Sequence, residues 1–297
     1  MREISLQANE TPEKLEKFLR REFPIGYVRK LLRKSGVRIN GRRAKADDVV
    51  TSGDRVQLYL PLEAEKKAPA PTRKATRLEV VFEDQALLVI NKPAGLAVHE
   101  GKTISKRESI LGILENYYRD SHIKPRLVHR LDKDTSGLLV VAKNQQTADT
   151  VIDAFASGGV GKEYLCMVVG RVPYPDGKID FSLPGREGDP VRAVTRSRVM
   201  KRFPETTLVR VTIETGRLHQ IRLHFAKLGY PVVMDDQHGD FGFNKRFRKE
   251  YGLKRQFLHA ERLQLSYAGK LRQWTAPLPQ DLQKTLTTLE RKRRGSA

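Results

Sequence analysis

The chain has 297 residues, of which 39% are hydrophobic and 31% are charged, enough for one large or two modest domains with a buried core. These proportions, without any run of about 18 apolar residues, exclude a disordered chain and a membrane protein. Against 35 Asp and Glu stand 56 Lys and Arg, and the formal net charge of +21 favours nucleic acid as the partner.

The cysteine content and the N-terminus bear on the cellular compartment. Cys166 is the only cysteine, so no disulfide can form within the chain, which is typical of a protein of the reducing cytoplasm. The first ten residues lack the apolar core of a signal peptide. We therefore expect a cytoplasmic protein, with Cys166 in the core because its neighbours are apolar.

The first sixty residues contain short elements that predict a small α/β unit. Thr11 is placed to cap a helix that has Pro12 at its first position. A second, basic helix is predicted over residues 27–34. The Asn40-Gly41 pair that follows is typical of a hairpin turn, and the alternating residues 56–60 predict a strand.

A change in composition separates this unit, predicted to span residues 1–62, from the rest of the chain. Residues 63–76 are rich in Pro, Ala and charge and predict a linker, and residues 77–297 form the larger predicted domain. Evenly spaced turns between its strands favour antiparallel pairing, and the predicted class is α+β. The main predicted elements are strands at 80–82, 87–90, 137–142, 164–169, 195–200 and 208–213, and a helix at 145–155.

A further helix is predicted near residue 220. Thr215 is placed to cap it, and Gly229 and Pro231 would end it. Its apolar stripe would consist of Leu218, Ile221, Phe225 and Leu228. Arg222 lies on the flank of this stripe and could point partly inward.

Charged residues are densest in residues 127–136, a predicted loop that leads into the buried strand at 137–142. A loop fixed by a buried strand is a common place for a functional site. Asp132 and Asp134 could form a metal-binding pair, or one of them could act as a carboxylate nucleophile. Asp134 could also hold a turn over 134–137 through its side chain. Residue types alone leave these alternatives open.

The N-terminal unit resembles a small RNA-binding domain that occurs in a ribosomal small-subunit protein and in several RNA-modifying enzymes. The resemblance lies in residues 15–18, 28–32, 37–41 and 53–56. It implies contacts with RNA phosphates by the cations of the second helix. These cations are Arg29, Lys30, Arg33 and Lys34.

The larger domain resembles the RluA-type pseudouridine synthases. The motifs that carry the resemblance are His129-Arg130-Leu131-Asp132 with Thr135-Ser136-Gly137-Leu138-Leu139, preceded by residues 91–95 and followed by residues 216–224. The resemblance implies a mixed, largely antiparallel sheet and an isomerase that converts uridine to pseudouridine without a cofactor. Residues 235–240 and 257–260 are similar to members that act on large-subunit ribosomal RNA. Transfer RNA as substrate, or a noncatalytic role in ribosome assembly, remains open.

The same resemblance implies roles for individual residues. Asp132 matches the family's nucleophile, and Arg222 matches the arginine that pairs with it and favours its ionised form. Tyr164 matches an active-site tyrosine that can stack on the uracil and take part in proton transfer. We expect a monomer that binds ribosomal RNA and has no membrane or nucleotide partner.

Residues on the same motifs are expected to contact the substrate. Arg130 matches the residue that fills the gap left by the extruded base. His129 is expected to shape the loop by hydrogen bonding. No metal site is expected, since His219 and His224 lack the spacing of known zinc motifs. The expected substrate or RNA contacts of this domain are Arg130, His129, Arg217, His219 and Gln220. His238 stands where many relatives have tyrosine.

Overall fold

A computed structural model describes residues 2–7, 12–23, 25–60, 78–101, 104–185 and 188–295. The chain divides into two compact units, Met1–Ala75 and Thr76–Ala297. The predicted linker at 63–76 and the predicted cap Thr11 lie outside the described residues.

The N-terminal unit contains a four-stranded antiparallel sheet of order β1-β6-β3-β4 and a separate β2-β5 ladder. Buried side chains from helices α1 and α2 pack with sheet residues into one core, in which Leu15, Leu19, Val28, Val56 and Leu58 are fully buried. Its elements are β1 (Arg2–Gln7), β2 (Glu13–Lys14), α1 (Leu15–Leu19), α2 (Ile25–Arg33), β3 (Val37–Ile39), β4 (Arg42–Arg43), β5 (Val49–Val50) and β6 (Arg55–Leu60).

The helix starts of this unit differ from the predicted ones. Pro12 is not helical: Glu13 and Lys14 pair with β5, so α1 starts only at Leu15. Helix α2 starts at Ile25, two residues before the predicted start. The predicted hairpin turn is confirmed, since Asn40 and Gly41 have φ values of 49° and 80° between β3 and β4.

The larger unit is built on a sheet of ten strands, in the order β12-β15-β16-β11-β17-β10-β8-β7, with β18 added beside β17 and β9 beside β10. The strands of this unit, which include the separate β13-β14 pair, are β7 (Glu79–Glu83), β8 (Leu87–Lys92), β9 (Arg126–Leu127), β10 (Ser136–Ala142), β11 (Val160–Val169), β12 (Asp176–Asp180), β13 (Leu183–Pro184), β14 (Pro190–Val191), β15 (Val194–Arg202), β16 (Thr206–Ile213), β17 (Leu258–Tyr267) and β18 (Lys270–Thr275). Its helices are α3 (Ile110–Tyr117), α4 (Gln145–Ala156), α5 (Gln220–Lys227), α6 (Phe241–Tyr251) and α7 (Gln280–Gly295).

Every described pairing in this sheet is antiparallel except that of β10 with β17. The predicted α+β class with a mixed, largely antiparallel sheet is thus confirmed. Successive residues of β8 and β10 contribute to different hydrophobic clusters; Leu139 and Val141 belong to one, Leu138 and Val140 to the other. Because both faces are covered, β10 is an unbroken apolar run in the sequence.

Helix α5 begins later than predicted. Thr215 does not cap it: the Thr215 hydroxyl accepts from the N–H of Val194 and donates to the side-chain carbonyl of Gln220. The helix begins at Gln220, after His219 in the left-handed conformation (φ 52°). The predicted stripe is reduced to Ile221 and Phe225, because Leu218 is 53% exposed and Leu228 is 47% exposed. The predicted end is confirmed at Gly229, which has a φ of 81°.

Among the described residues no helix combines the length and the apolar character needed to cross a membrane.

Candidate active site

The loop between β9 and β10, which carries Asp132, is tied at one side to the loop after β8. Lys92 at the end of β8 is fully buried, and its Nζ donates to the carbonyl oxygens of Pro93 and Leu96 at 2.9 Å and of Lys133 at 3.0 Å. The N–H of Gly95 also donates to the Lys133 carbonyl. Burial lowers the pKa of Lys92 to about 7, against the attraction of nearby carboxylates. Lys92 therefore fixes the backbone next to Asp132.

The beginning of the same loop is held by His129. Its Nε2 accepts the N–H of Val140 at 2.9 Å, and its ring stacks on Phe155 at 4.6 Å. Burial, reinforced by the charge of Lys162, lowers the pKa of His129 to about 3, so the imidazole is neutral. These contacts agree with the expected role of His129 in shaping the loop, and they occupy the ring within the protein.

The end of the loop is fixed where β10 meets β17. Gly137 has a φ of 114° and pairs with Ala260, and a Cβ at position 137 would lie 2.2 Å from the Ala260 carbonyl oxygen. Thr135 accepts a hydrogen bond at 2.7 Å from the buried Gln256 side chain. Glycine is required here because any side chain would separate the two strands.

Arg222 of α5 connects the loop to a second carboxylate. Arg222 is 3% exposed, and its Nη1 donates to Oδ2 of Asp132 at 3.2 Å. Nε and Nη2 make a bidentate pair with Asp235, both at 2.7 Å, and Nη2 lies 3.4 Å from Asp236. Burial opposes the charge, but Asp235 and Asp132 outweigh it and raise the pKa of Arg222. The guanidinium is thus a fixed cation beside Asp132.

Asp235 is the anchor of this arrangement, and sequence reasoning assigned it no role. Its side chain is fully buried, and its Oδ1 also accepts the N–H groups of Gln237 and His238 at 2.9 Å. Burial acts to raise the pKa of Asp235, yet Arg222 and the two N–H groups lower it overall. A buried arginine requires a buried carboxylate, and the Asp235-Asp236 pair was the signal available in the sequence.

Two histidines lie on the other side of Asp132. His219 Nε2 is 3.8 Å from Asp132 Oδ1, and His219 Nδ1 is hydrogen-bonded to His238 Nε2 at 3.1 Å. Burial lowers the pKa of His219, although the negative charge of Asp132 acts against this shift. His238, which departs from the tyrosine of many relatives, is therefore a direct neighbour of His219.

Tyr164 and Asp132 line the same pocket, together with Arg130 and Arg222. Tyr164 lies on β11 and is 6% exposed. Burial and the negative charge of Asp132 raise the pKa of Tyr164, so its phenol stays protonated. The pocket thus combines a carboxylate, a neutral phenol and a fixed guanidinium.

The remaining predicted contacts divide into exposed and supporting residues. Arg130 and Arg217 are exposed at the pocket, and Arg217 Nε donates to the Arg192 carbonyl at 3.2 Å. Gln220 is buried, and its amide bonds to Thr215, to the Arg217 N–H and to residues of β15. Because these hydrogen bonds are all made within the protein, Gln220 supports the loop before α5.

The predicted cations of the N-terminal unit lie on or after α2. Arg29, Lys30 and Arg33 belong to this helix and Lys34 follows it; Arg33 and Lys34 are exposed. This unit has its own core.

Comparisons with known proteins agree with this fold and its motifs. A family model described as RNA pseudouridylate synthase matches residues 86–227. The ribosomal large subunit pseudouridine synthase C of Salmonella typhi is 33% identical over 315 residues, covering 97% of both chains. That of Escherichia coli strain K12 is 32% identical, covering 98% of this chain and 97% of the relative.

A bacterial relative and a solved structure extend the comparison. An uncharacterised RNA pseudouridine synthase of Bacillus subtilis is 31% identical, covering 98% of this chain and 99% of the relative. The structure of human RNA pseudouridylate synthase domain containing 4 has a TM-score of 0.60 at 26% identity, covering 71% of this chain and 93% of that one. Fold and relatives together define an enzyme that modifies RNA by isomerisation. The chain belongs to the RNA pseudouridylate synthase family, and it is an RNA pseudouridine synthase.

Proposed function

We propose that this enzyme converts specific uridines of large-subunit ribosomal RNA to pseudouridine, with Asp132 as the nucleophile. The observation that carries the assignment is the pairing of Asp132 with the buried Arg222, which Asp235 fixes in turn. The RNA class is supported by the relatives named for the ribosomal large subunit, which align over nearly the whole chain.

The reaction needs no group donor and no redox partner. The bond between uracil N1 and C1′ of the ribose breaks, the base rotates, and a bond forms between C5 and C1′. The proton on C5 is lost and N1 gains one, so atoms and electrons balance. Asp132 attacks the nucleotide as the carboxylate, with Arg222 orienting it, and the bond so formed breaks again before the product leaves, which restores the free carboxylate. We propose a monomer that acts in the cytoplasm without a cofactor.

Tyr164 and Arg130 serve the base. The Tyr164 ring packs on the uracil, and its protonated phenol can donate or relay a proton during rearrangement. Extruding a base from a stack costs a few kcal/mol. The exposed Arg130 guanidinium fills the vacated position and can pair with a phosphate at the same time. Arg217 and His219 form the facing side of the pocket.

The N-terminal residues 1–62 also bind RNA, and the linker at 63–76 leads to the catalytic domain at 77–297. The exposed cations Arg33 and Lys34 at the end of α2 support this role. Arg29 and Lys30 on the same helix belong to the same proposed surface. Affinity should fall steeply with salt because phosphate contacts release counterions.

The test is to map pseudouridine with a carbodiimide on ribosomal RNA from cells that lack this protein. The wild-type gene should restore the missing large-subunit sites, and Asp132→Asn should restore none while the purified variant still binds RNA. Asp134→Asn is the matched control from the same loop and should restore them. Sites that Asp132→Asn restores would refute the nucleophile. Ribosomal sites that all persist in the deletion, with sites lost from transfer RNA or from no RNA, would refute the ribosomal substrate.

A further inference from the structure

Lys162 is a buried cation beside the pocket for which the proposed reaction has no use. It lies on β11 two residues before Tyr164, and the pairing of β11 with β17 is irregular between Glu163 and Tyr164. The residue is 7% exposed. Burial lowers the pKa of Lys162 to about 8, and no carboxylate acts against this shift.

The surroundings of Lys162 place its ammonium at the edge of the pocket. Nζ lies 5.2 Å from the centroid of the Phe155 ring of α4. Gly216, which lines the pocket with Asp132 and Arg217, is also close: a Cβ at position 216 would lie 3.8 Å from Nζ. The ammonium is therefore near both helix α4 and the loop that carries Arg217 and His219.

Within the described part of the chain this ammonium has an aromatic neighbour but no acidic partner. The adjacent carboxylate, Glu163, belongs to the other face of β11 and approaches Arg210 at 3.7 Å and Arg262 at 3.8 Å. By contrast, the buried Arg222 has a bidentate partner in Asp235. Burying an unpaired cation destabilises a protein, so its missing counter-ion is expected from outside the chain.

We infer that Lys162 binds a phosphodiester oxygen of the RNA strand next to the extruded uridine, at the Gly216 edge of the pocket. A uridine in this pocket brings its own flanking phosphates to the pocket's rim. Absence of a side chain at Gly216 leaves room for the strand to approach Nζ. This contact would form only when the nucleotide is fully inserted in the pocket, whereas exposed cations can contact RNA before insertion. This inference rests on the proposed function.

The experiment combines one protein variant with one change in the RNA. Lys162→Met keeps an unbranched side chain against Phe155 and removes the charge. The RNA is the shortest large-subunit fragment that the wild-type enzyme modifies, made with a neutral methylphosphonate at one linkage on either side of the target uridine. Wild-type affinity should fall about tenfold for one of these linkages. Lys162→Met should bind the unmodified RNA about tenfold more weakly and show no further loss with that linkage.

Three more measurements separate phosphate binding from other roles. The salt slope of Lys162→Met should be smaller by about one ion than that of wild type. Its kcat at saturating RNA should fall by no more than the about tenfold loss of affinity, because the contact forms only with the inserted nucleotide. Its Tm should rise because an unpaired buried charge is gone. Lys270→Met, an exposed lysine on β18, is the control and should respond to the neutral linkage as wild type does.

Several outcomes would overturn the inference. Equal responses of wild type and Lys162→Met to both neutral linkages would exclude phosphate binding. A fall in kcat without a change in affinity, with loss of an ionisation near the Lys162 pKa of about 8, would assign proton transfer instead. A lower Tm would assign a structural role. If the wild-type enzyme isomerises no large-subunit fragment, the proposed function fails; the linkage comparison is then made on the RNA that it does modify.

Discussion

Replacing Asp235 by Asn removes the charge that holds Arg222, with almost no change in shape. In the variant, Oδ1 can remain an acceptor for the N–H groups of Gln237 and His238 and for Nη2 of Arg222. The new amide nitrogen, however, replaces Oδ2, which accepts from Arg222 Nε at 2.7 Å in the wild type, so two N–H donors would face each other. The side chains of Arg222 and Asp235 are 4% and 0% exposed, so water cannot replace the lost contact.

The expected cost follows from this geometry. Breaking a buried ion pair from one side costs about 3–5 kcal/mol. For a unit of this size the corresponding fall in Tm is roughly 10 °C. Arg222 would keep Asp132, at 3.2 Å, as its nearest remaining carboxylate partner and should draw it out of position. We therefore expect kcat to fall by at least about 100-fold, because small displacements of a reacting group are that costly.

Asp236→Asn is the matched control, since Asp236 also lies near Arg222 Nη2, at 3.4 Å, but its side chain is 70% exposed. It should lose less than about 1 kcal/mol. The assay is urea unfolding together with release of tritium from C5-labelled uridine under single-turnover conditions. Equal losses of stability for the two variants, or a stable Asp235→Asn enzyme with wild-type kcat, would refute the reasoning.

The pH dependence of the same pair gives a second readout. The folded-state pKa of Asp235 is lowered, so its stabilisation is present above the pKa of the unfolded chain and is lost as pH falls through the folded value. The difference in unfolding free energy between wild type and Asp235→Asn should therefore shrink on acidification. If the difference in unfolding free energy between the two proteins stayed constant from neutral pH down to acid unfolding, the ionised pair would not be the source of the stability.

Two further substitutions test how the loop is held. Gly137→Ala should cost at least about 3 kcal/mol of unfolding free energy, because its Cβ would lie 2.2 Å from the Ala260 carbonyl oxygen and the backbone φ is 114°. The control Gly229→Ala, at a φ of 81° with open space around it, should cost only about 1 kcal/mol. Equal costs of the two substitutions in urea unfolding would contradict this account. Lys92→Met should reduce the rise in stability that wild type gains above pH 7, since the folded chain releases the Lys92 proton near its pKa of about 7 whereas the unfolded chain keeps it to about 10.4. An unchanged slope of stability against pH would show that Lys92 is not buried as a titrating group.

The sequence predicts the strands well and the loops poorly, for a physical reason. Residues 137–142 are recognisable as a strand because both faces of β10 are covered, which demands an unbroken apolar run. The start of α5 is set instead by Gln220, whose amide joins the loop to β15, and by the left-handed backbone of His219. Such contacts join residues distant in sequence and leave no periodic pattern, so a cap at Thr215 was a reasonable but wrong expectation.

The candidate site divides in the same way. Asp132, Tyr164 and Arg222 are marked by motifs, and the structure brings all three to one pocket. Lys92 also belongs to a motif, but its function in holding the Lys133 carbonyl is visible only in three dimensions. Asp235 also lies in a motif, next to Asp236, but its importance follows from the burial of its partner Arg222 and is visible only in the structure.

The cations around the pocket differ in whether an acidic side chain of the protein neutralises them, and we expect their functions to differ accordingly. Arg222 is neutralised within the protein by Asp235 and Asp132, so it can fix the Asp132 carboxylate without attracting RNA strongly. The formal net charge of +21 is a property of the whole chain and favours long-range attraction to RNA. Lys162 lies between these two classes: it is 7% exposed, against 3% for Arg222, but it lacks an acidic partner among the described residues. A cation of this kind gains a partner only when a nucleotide enters the pocket, so it can favour the inserted uridine over RNA bound merely at the surface.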